Sequence, residues 1–209
     1  MSNAEFKTEQ EAFWAGEFGD EYTSRNEGAD IVATNISMFA KALTRMDKPQ
    51  SIIEFGCNRG LNLKALRQLL PQAKLSALEI NTSAAELVRR ELDADVKNTS
   101  ILEFTPEETY DLAIIKGVLI HINPDELQSV YQKLYDASSK YIFVCEYYNP
   151  TPVAIPYRGH EDKLFKRDFA GEMMEKYPDL ELVDYGFCYR RDPVFPQDDG
   201  TWFLMKKPQ

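Results

Sequence analysis

The sequence predicts an α/β protein: a doubly wound, mostly parallel seven-stranded sheet with an antiparallel C-terminal β-hairpin and an N-terminal helical cap. Three observations predict it. Short apolar runs alternate with segments of helical periodicity, the pattern of parallel strands joined by crossover helices. A glycine-bearing turn, Glu54-Phe55-Gly56-Cys57-Asn58-Arg59-Gly60, joins the first apolar run to the first such helix. The last two apolar runs, 180–189 and 201–206, are linked by a turn-rich stretch without a helix, so they should pair antiparallel.

The elements follow in order. Residues 5–30 are polar and acidic, punctuated by Phe6, Phe13, Trp14, Phe18 and Tyr22, and read as a cap segment. Such a segment either covers a pocket or simply docks on the core. Tyr22, Arg25 and Asn26 gather polar groups before a turn at Gly28. Residues 31–209 read as a single domain. A helix over 30–46 carries Ile31, Ile36, Phe39, Ala40 and Leu43 on one side and ends before Pro49. Ile52-Ile53 begin the first strand, and Leu63, Leu66, Leu69 and Leu70 line the helix after the turn. The second strand is Lys74–Ile80, and a helix over 83–92 has Ser83 as N-cap with Glu86 three residues on. A short strand spans 94–97. Tyr110–Lys116 is a near-continuous apolar run, as a central parallel strand requires. Asn123-Pro124-Asp125-Glu126 reads as a helix start. The fifth strand, 141–148, leads into the rigid loop Asn149-Pro150-Thr151-Pro152. Residues 153–168 are polar, aromatic and locally basic, and read either as a stretch that meets an anionic substrate or as a solvated linker helix; a helix over 168–177 then precedes the final pair of strands.

The turn at 54–60 is the stretch with chemistry in it. After a strand and before a helix, its glycines let the backbone approach a ligand, and the helix N-terminus presents free N–H groups. A dinucleotide loop would read Gly-x-Gly-x-x-Gly. Here Glu54 occupies the place of the first glycine, and Asn58 stands inside the loop. A pyrophosphate needs bare backbone there, whereas a ligand with a carboxylate and an ammonium tolerates the acid. This favours S-adenosylmethionine over NAD, with Glu54, Gly56, Asn58 and Gly60 holding its amino-acid portion. Glu79 lies 19 positions after Gly60 at a strand end, the spacing at which an acid accepts ribose hydroxyls. Ile80 follows it. Ser100 and Ile101, after the third strand, are placed to flank an adenine or to form a plain connecting loop. Lys116 and Gly117 end the fourth strand at the same crevice. His121, one of two histidines, lies just beyond. It is either a group facing the crevice or one that bonds the backbone. Arg158 and its basic neighbours would suit a phosphate or carboxylate on a substrate.

Composition sets the outer bounds. The chain has 209 residues, 44% of them hydrophobic, enough for one sizeable core. Its net charge is −10, from 24 basic and 34 acidic residues, with no dense Lys/Arg cluster, so nucleic acid is not the expected partner. No apolar run reaches membrane-spanning length, and no secretory leader is evident, so no membrane association is expected. Cys57, Cys145 and Cys188 lack metal-ligand spacing and read as reduced thiols of a cytoplasmic protein, with no metal site. The sequence carries no signal of an oligomeric state.

Taken together, this Rossmann-like order, the Glu-x-Gly-x-x-x-Gly turn and the acid at Glu79 resemble the class I S-adenosylmethionine-dependent methyltransferases over roughly 30–207. Three segments also resemble the pseudaminic-acid-biosynthesis-associated methylases: Phe13–Tyr22, Lys116–Pro124 and Glu146–Pro152. The resemblance implies methyl transfer to a small molecule, with a nonulosonic-acid sugar or its precursor as the substrate to expect. His121 is then the candidate base, Trp14 and Tyr22 aromatic covers for the cofactor's sulfonium, and Tyr147, Tyr148 and Arg158 acceptor-site residues. A non-catalytic cofactor-binding module and a nicotinamide-dependent oxidoreductase are the alternatives.

Overall fold

The computed structural model describes residues 6–25 and 28–208, and the side chains of these except 24, 25, 160 and 161. Asn26 and the side chain of Arg25, gathered by the sequence before the turn at Gly28, lie outside the described residues.

Seven strands form the main sheet: β1 (Ser51–Phe55), β2 (Lys74–Glu79), β3 (Asp95–Asn98), β4 (Tyr110–Lys116), β5 (Ser138–Glu146), β8 (Glu181–Phe187) and β9 (Thr201–Lys206). Their order is β3-β2-β1-β4-β5-β9-β8. The first five run parallel, and β9 pairs antiparallel with both β5 and β8, as the helix-free link predicts. The order reverses between β1 and β4, and a crevice opens at the carboxyl ends of strands around such a switch point.

Alternate residues of the central strands face opposite layers. Ile53, Phe55 and Ile115 face one, with Tyr131, Leu134 and Met173 from α6 (Leu127–Ala137) and α7 (Phe169–Lys176). Ile52 and Ile114 face the other. There they meet Phe39 of α3 (Ala29–Leu43), Leu63 and Leu66 of α4 (Leu61–Leu69), and Val88 of α5 (Thr82–Glu91). Burial on both faces is why β4 reads as an unbroken apolar run.

Two predicted elements differ. Asn81, not Ser83, caps α5: its Oδ1 accepts from Ala84 N at 2.9 Å. Its Nδ2 meanwhile donates to Asp20 at 2.9 Å, a second bond that a cap at position 83 would forgo. Residues 153–168 are not a linker helix. They form a two-stranded hairpin, β6 (Val153–Tyr157) with β7 (His160–Lys166), turned by Arg158 at φ 49° and Gly159 at φ 84°. Two left-handed residues in a two-residue loop twist the chain the way a hairpin needs.

The N-terminal segment folds as α1 (Glu9–Ala15) and α2 (Glu17–Arg25). Thr8 and Glu11 close a capping box on α1. The rings pack on one another, Phe13 against Phe18 at 4.1 Å and Trp14 edge-on to Tyr22 at 5.2 Å. Polar bonds tie this cap to the strand ends: Asn81 to Asp20, and Arg59 to the Thr23 carbonyl at 3.0 Å. Gln10 reaches across to the Asp162 carbonyl of β7 at 3.0 Å, so cap and hairpin meet.

Asn81→Ala removes a helix cap and a cap-to-domain bond together. It should lower stability by about 1–2 kcal/mol in urea unfolding, whereas Ser83→Ala should change it by less than about 0.5 kcal/mol.

Candidate functional site

The loop between β1 and α4 carries three left-handed residues at alternate positions: Gly56 (φ 79°), Asn58 (φ 45°) and Gly60 (φ 69°). This explains how asparagine stands inside a glycine turn. Asparagine tolerates this backbone region best of the ordinary residues, because its short amide bonds locally. Here Asn58 Oδ1 accepts from Arg59 N at 2.6 Å. Gly56 has a packing reason as well, since a Cβ there would lie 2.8 Å from Val118. A Cβ on Gly60 would press on Val88 and Leu92, so this glycine seats α4 against α5 and does not line the crevice.

Glu79 ends β2 and is 7% exposed. Its two oxygens accept from Asn58 N at 2.6 Å and Asn81 N at 2.8 Å, pinning the loop to the second strand. Burial raises this carboxyl above its ordinary range, and the backbone N–H groups pull against that rise. Glu54 lies beneath the loop, fully buried and outside the crevice lining. Asn62 donates to its Oε1 at 2.7 Å, while Oε2 has no partner among the described residues. Burial pushes it up to about 7.

One cavity of roughly 760 Å³ runs over the strand ends, within the range of small-molecule sites. Of the sequence-predicted residues it brings together Gly56, Asn58, Glu79, Ile80, Ser100, Ile101, Lys116 and Gly117 on one side. Trp14, Tyr22, His121, Tyr147 and Arg158 line it too. Gly117 is left-handed (φ 67°), with nothing within 4 Å of where a Cβ would be, so the backbone is bare at this point. Glu54, Gly60 and Tyr148 are not among the lining residues. Tyr148 is 44% exposed and leans on Phe203. It follows Tyr147 directly, just beyond the end of β5.

His121 sits in the short turn of 3-10 helix, Leu119–His121, after β4. Its Nδ1 is 2.6 Å from the Lys163 carbonyl. A carbonyl only accepts, so Nδ1 carries the proton, and burial lowers the imidazole to about 4, keeping the ring neutral. Nε2 therefore holds a lone pair. The ring packs against Trp14 (4.6 Å) and Tyr157 (5.0 Å), one from the cap and one from the hairpin.

Several lining residues escaped the sequence reading. Glu146 ends β5; its Oε1 accepts from Val118 N at 3.0 Å and Leu119 N at 2.9 Å, and its buried Oε2 has no partner among the described residues. Burial pushes it up to about 7. The signal was present, since an acid closing an apolar run also marks Glu54 and Glu79. Tyr157 and Asp198 belong to this half as well, the latter bonding Tyr147, whose phenol burial raises. Glu11 from the cap also lines the cavity, and no local pattern announced it. Among the described residues no group of acids, histidines and cysteines is arranged to hold a metal.

Residues 53–139 match the family model described as a methyltransferase domain. No curated protein matches the chain by sequence. Solved structures do. Magnesium protoporphyrin IX methyltransferase from Synechocystis PCC 6803, with bound SAM, superposes with a TM-score of 0.70 at 12% identity, over 99% of this chain and 100% of that one. The 1,6-didemethyltoxoflavin-N1-methyltransferase of Burkholderia thailandensis, with its substrate and S-adenosylhomocysteine, gives 0.70 at 13% identity, over 95% and 87%. The plantazolicin methyltransferase, with a triazolic desmethylPZN analogue and SAH, gives 0.67 at 15% identity, over 95% of each chain. At such identities the likeness is one of fold.

Two predictions follow from this geometry. Asn58→Val forces a β-branched residue to φ 45° and should cost about 1–2 kcal/mol; Asn58→Gly should restore cofactor affinity that Asn58→Val loses in calorimetry. The Glu146 carboxyl holds a proton in the folded state up to about pH 7 that the unfolded chain releases near 4.5. Its contribution is thus present at low pH and lost as pH rises. Wild-type stability relative to Glu146→Gln should fall between about pH 4.5 and 7, and a pH-independent difference would contradict this origin.

Proposed function

We propose that this chain is a class I S-adenosylmethionine-dependent methyltransferase acting on a small molecule held between the cap and the hairpin, specifically a nonulosonic acid of the pseudaminic type or its precursor. The observation that carries the reading is the single cavity that joins the Gly56–Asn58–Glu79 half to the His121–Tyr147–Arg158 half. The segment 5–30 serves as cap to a single domain over 31–209, and the protein works in the cytoplasm.

The residues present fit the cofactor. Glu79 keeps lone pairs for two ribose hydroxyls beyond the backbone bonds it accepts. The loop at Gly56 and Asn58, with carbonyls at Lys116 and Gly117, suits the amino-acid end; Glu54 acts from below by holding Asn62 and the loop's foot. Ile80, Ser100 and Ile101 suit the purine. Trp14 and Tyr22 offer aromatic faces to a cation. S-adenosylmethionine supplies, when bound, a methyl group already activated by its sulfonium.

What remains for the chain is alignment, exclusion of water and removal of a proton. Cap and hairpin exclude water by meeting over the crevice. His121 Nε2, with its ring fixed through Nδ1–H to Lys163, would accept the proton that an acceptor hydroxyl must lose. Arg158 and the Tyr147 phenol suit the carboxylate and hydroxyls of a sugar acid. Tyr148 enters only from the resemblance and has no place in this geometry.

His121→Ala should leave affinity for S-adenosylhomocysteine within about twofold and lower turnover by about 100-fold or more. The assay would use a panel of nonulosonic acids and their precursors. Normal turnover in the variant would remove His121 from the reaction, and no turnover of any sugar acid by the wild type would remove the substrate assignment.

A further inference from the structure

We infer that Glu11 of the cap is a cofactor-binding residue, and that it makes the cap read the exocyclic amine of the adenine. This inference rests on the cofactor reading above.

Glu11 is 7% exposed, and it lines the cavity beside Ser100, Ile101 and Leu102. Ser100 and Ile101 are the residues that the cofactor reading above assigns to the purine. Each oxygen of Glu11 has a distinct job. Oε2 accepts from Thr8 N at 2.9 Å and so belongs to the capping box. Oε1 faces the loop after β3 and accepts from the Ser100 hydroxyl. The Ser100 oxygen in turn accepts from Leu102 N at 2.9 Å, which fixes it in place.

The loop itself offers no acid at this point: Asn98, Thr99 and Ser100 are neutral. The carboxylate comes from a helix 89 residues upstream. With one oxygen committed to the helix, Oε1, which accepts one bond from Ser100, has capacity for a second at this wall of the cavity. That edge accepts and does not donate. A 6-amino purine presents a donor there, and a 6-oxo purine presents an acceptor. Cofactor and cap would then close on each other, because the amine bonds a residue the cap alone supplies.

The test uses two ligands that differ only at this edge, S-adenosylhomocysteine and its deaminated 6-oxo analogue S-inosylhomocysteine. Calorimetry on the full chain should show wild type preferring the amine by about tenfold or more. Glu11→Gln keeps the capping box, since glutamine serves at that position. Its oxygen stays on Thr8 N, so its amide N–H₂ turns to the purine, and the preference should shrink or invert. A cap that is merely loosened weakens both ligands alike and leaves the ratio unchanged, which would overturn the inference. Equal affinities in the wild type would overturn it too, whatever the variant does. Failure of S-adenosylhomocysteine to bind at all would overturn the cofactor reading and this inference with it.

Discussion

The site depends on one buried carboxylate. Glu79 stands at the end of β2 and takes a backbone N–H from each neighbouring segment, Asn58 of the turn and Asn81 at the start of α5. Without it the half-buried N–H of the left-handed Asn58 would lose its partner, and the loop its tie to β2. Asn81, held by the same carboxylate, caps α5 and bonds Asp20 of the cap. Loop, helix and cap are therefore set by a single group. That group still has lone pairs facing the crevice.

The same device recurs across the sheet. Glu54, Glu79 and Glu146 each end a strand or nearly so, and each fixes the segment that follows: Asn62 in α4, the glycine loop, and the turn at Val118 and Leu119. Burying three acids opposes stability, because desolvation raises all three above the ordinary carboxylate range. Glu54 and Glu146 each retain one buried oxygen without a partner among the described residues. Of the two, Glu146 lines the crevice and Glu54 lies beneath its loop, so unsatisfied acceptors gather at and under the site, which a pure core avoids. His121 is the opposite case. Burial makes it harder to protonate, and its one bond to Lys163 leaves a basic nitrogen available near neutral pH.

Much of this was legible in the sequence, for physical reasons. Central strands such as Tyr110–Lys116 are buried on both faces, so hydrophobicity alone marks them. The turn announced itself through glycine, although only the structure explains Asn58, which takes the left-handed backbone a glycine would supply. The hairpin 153–166 was hidden because its strands lie at the surface, include Pro156 and charged residues, and turn through Arg158-Gly159 rather than the usual Asn-Gly. Ser83 lost to Asn81 because a tertiary bond to Asp20 decided between two competent caps. Glu11 could not be read at all, since its partner Ser100 is remote in sequence. Tyr148 looked equivalent to Tyr147, but only Tyr147 lines the cavity, while Tyr148 is exposed against Phe203.

The most direct measurement is calorimetric binding of S-adenosylmethionine, S-adenosylhomocysteine and NAD to wild type and to Glu79→Ala. The account predicts micromolar binding of the first two, loss of both in the variant, and no binding of NAD. Binding of NAD alone, or undiminished S-adenosylhomocysteine binding without the Glu79 carboxylate, would contradict it.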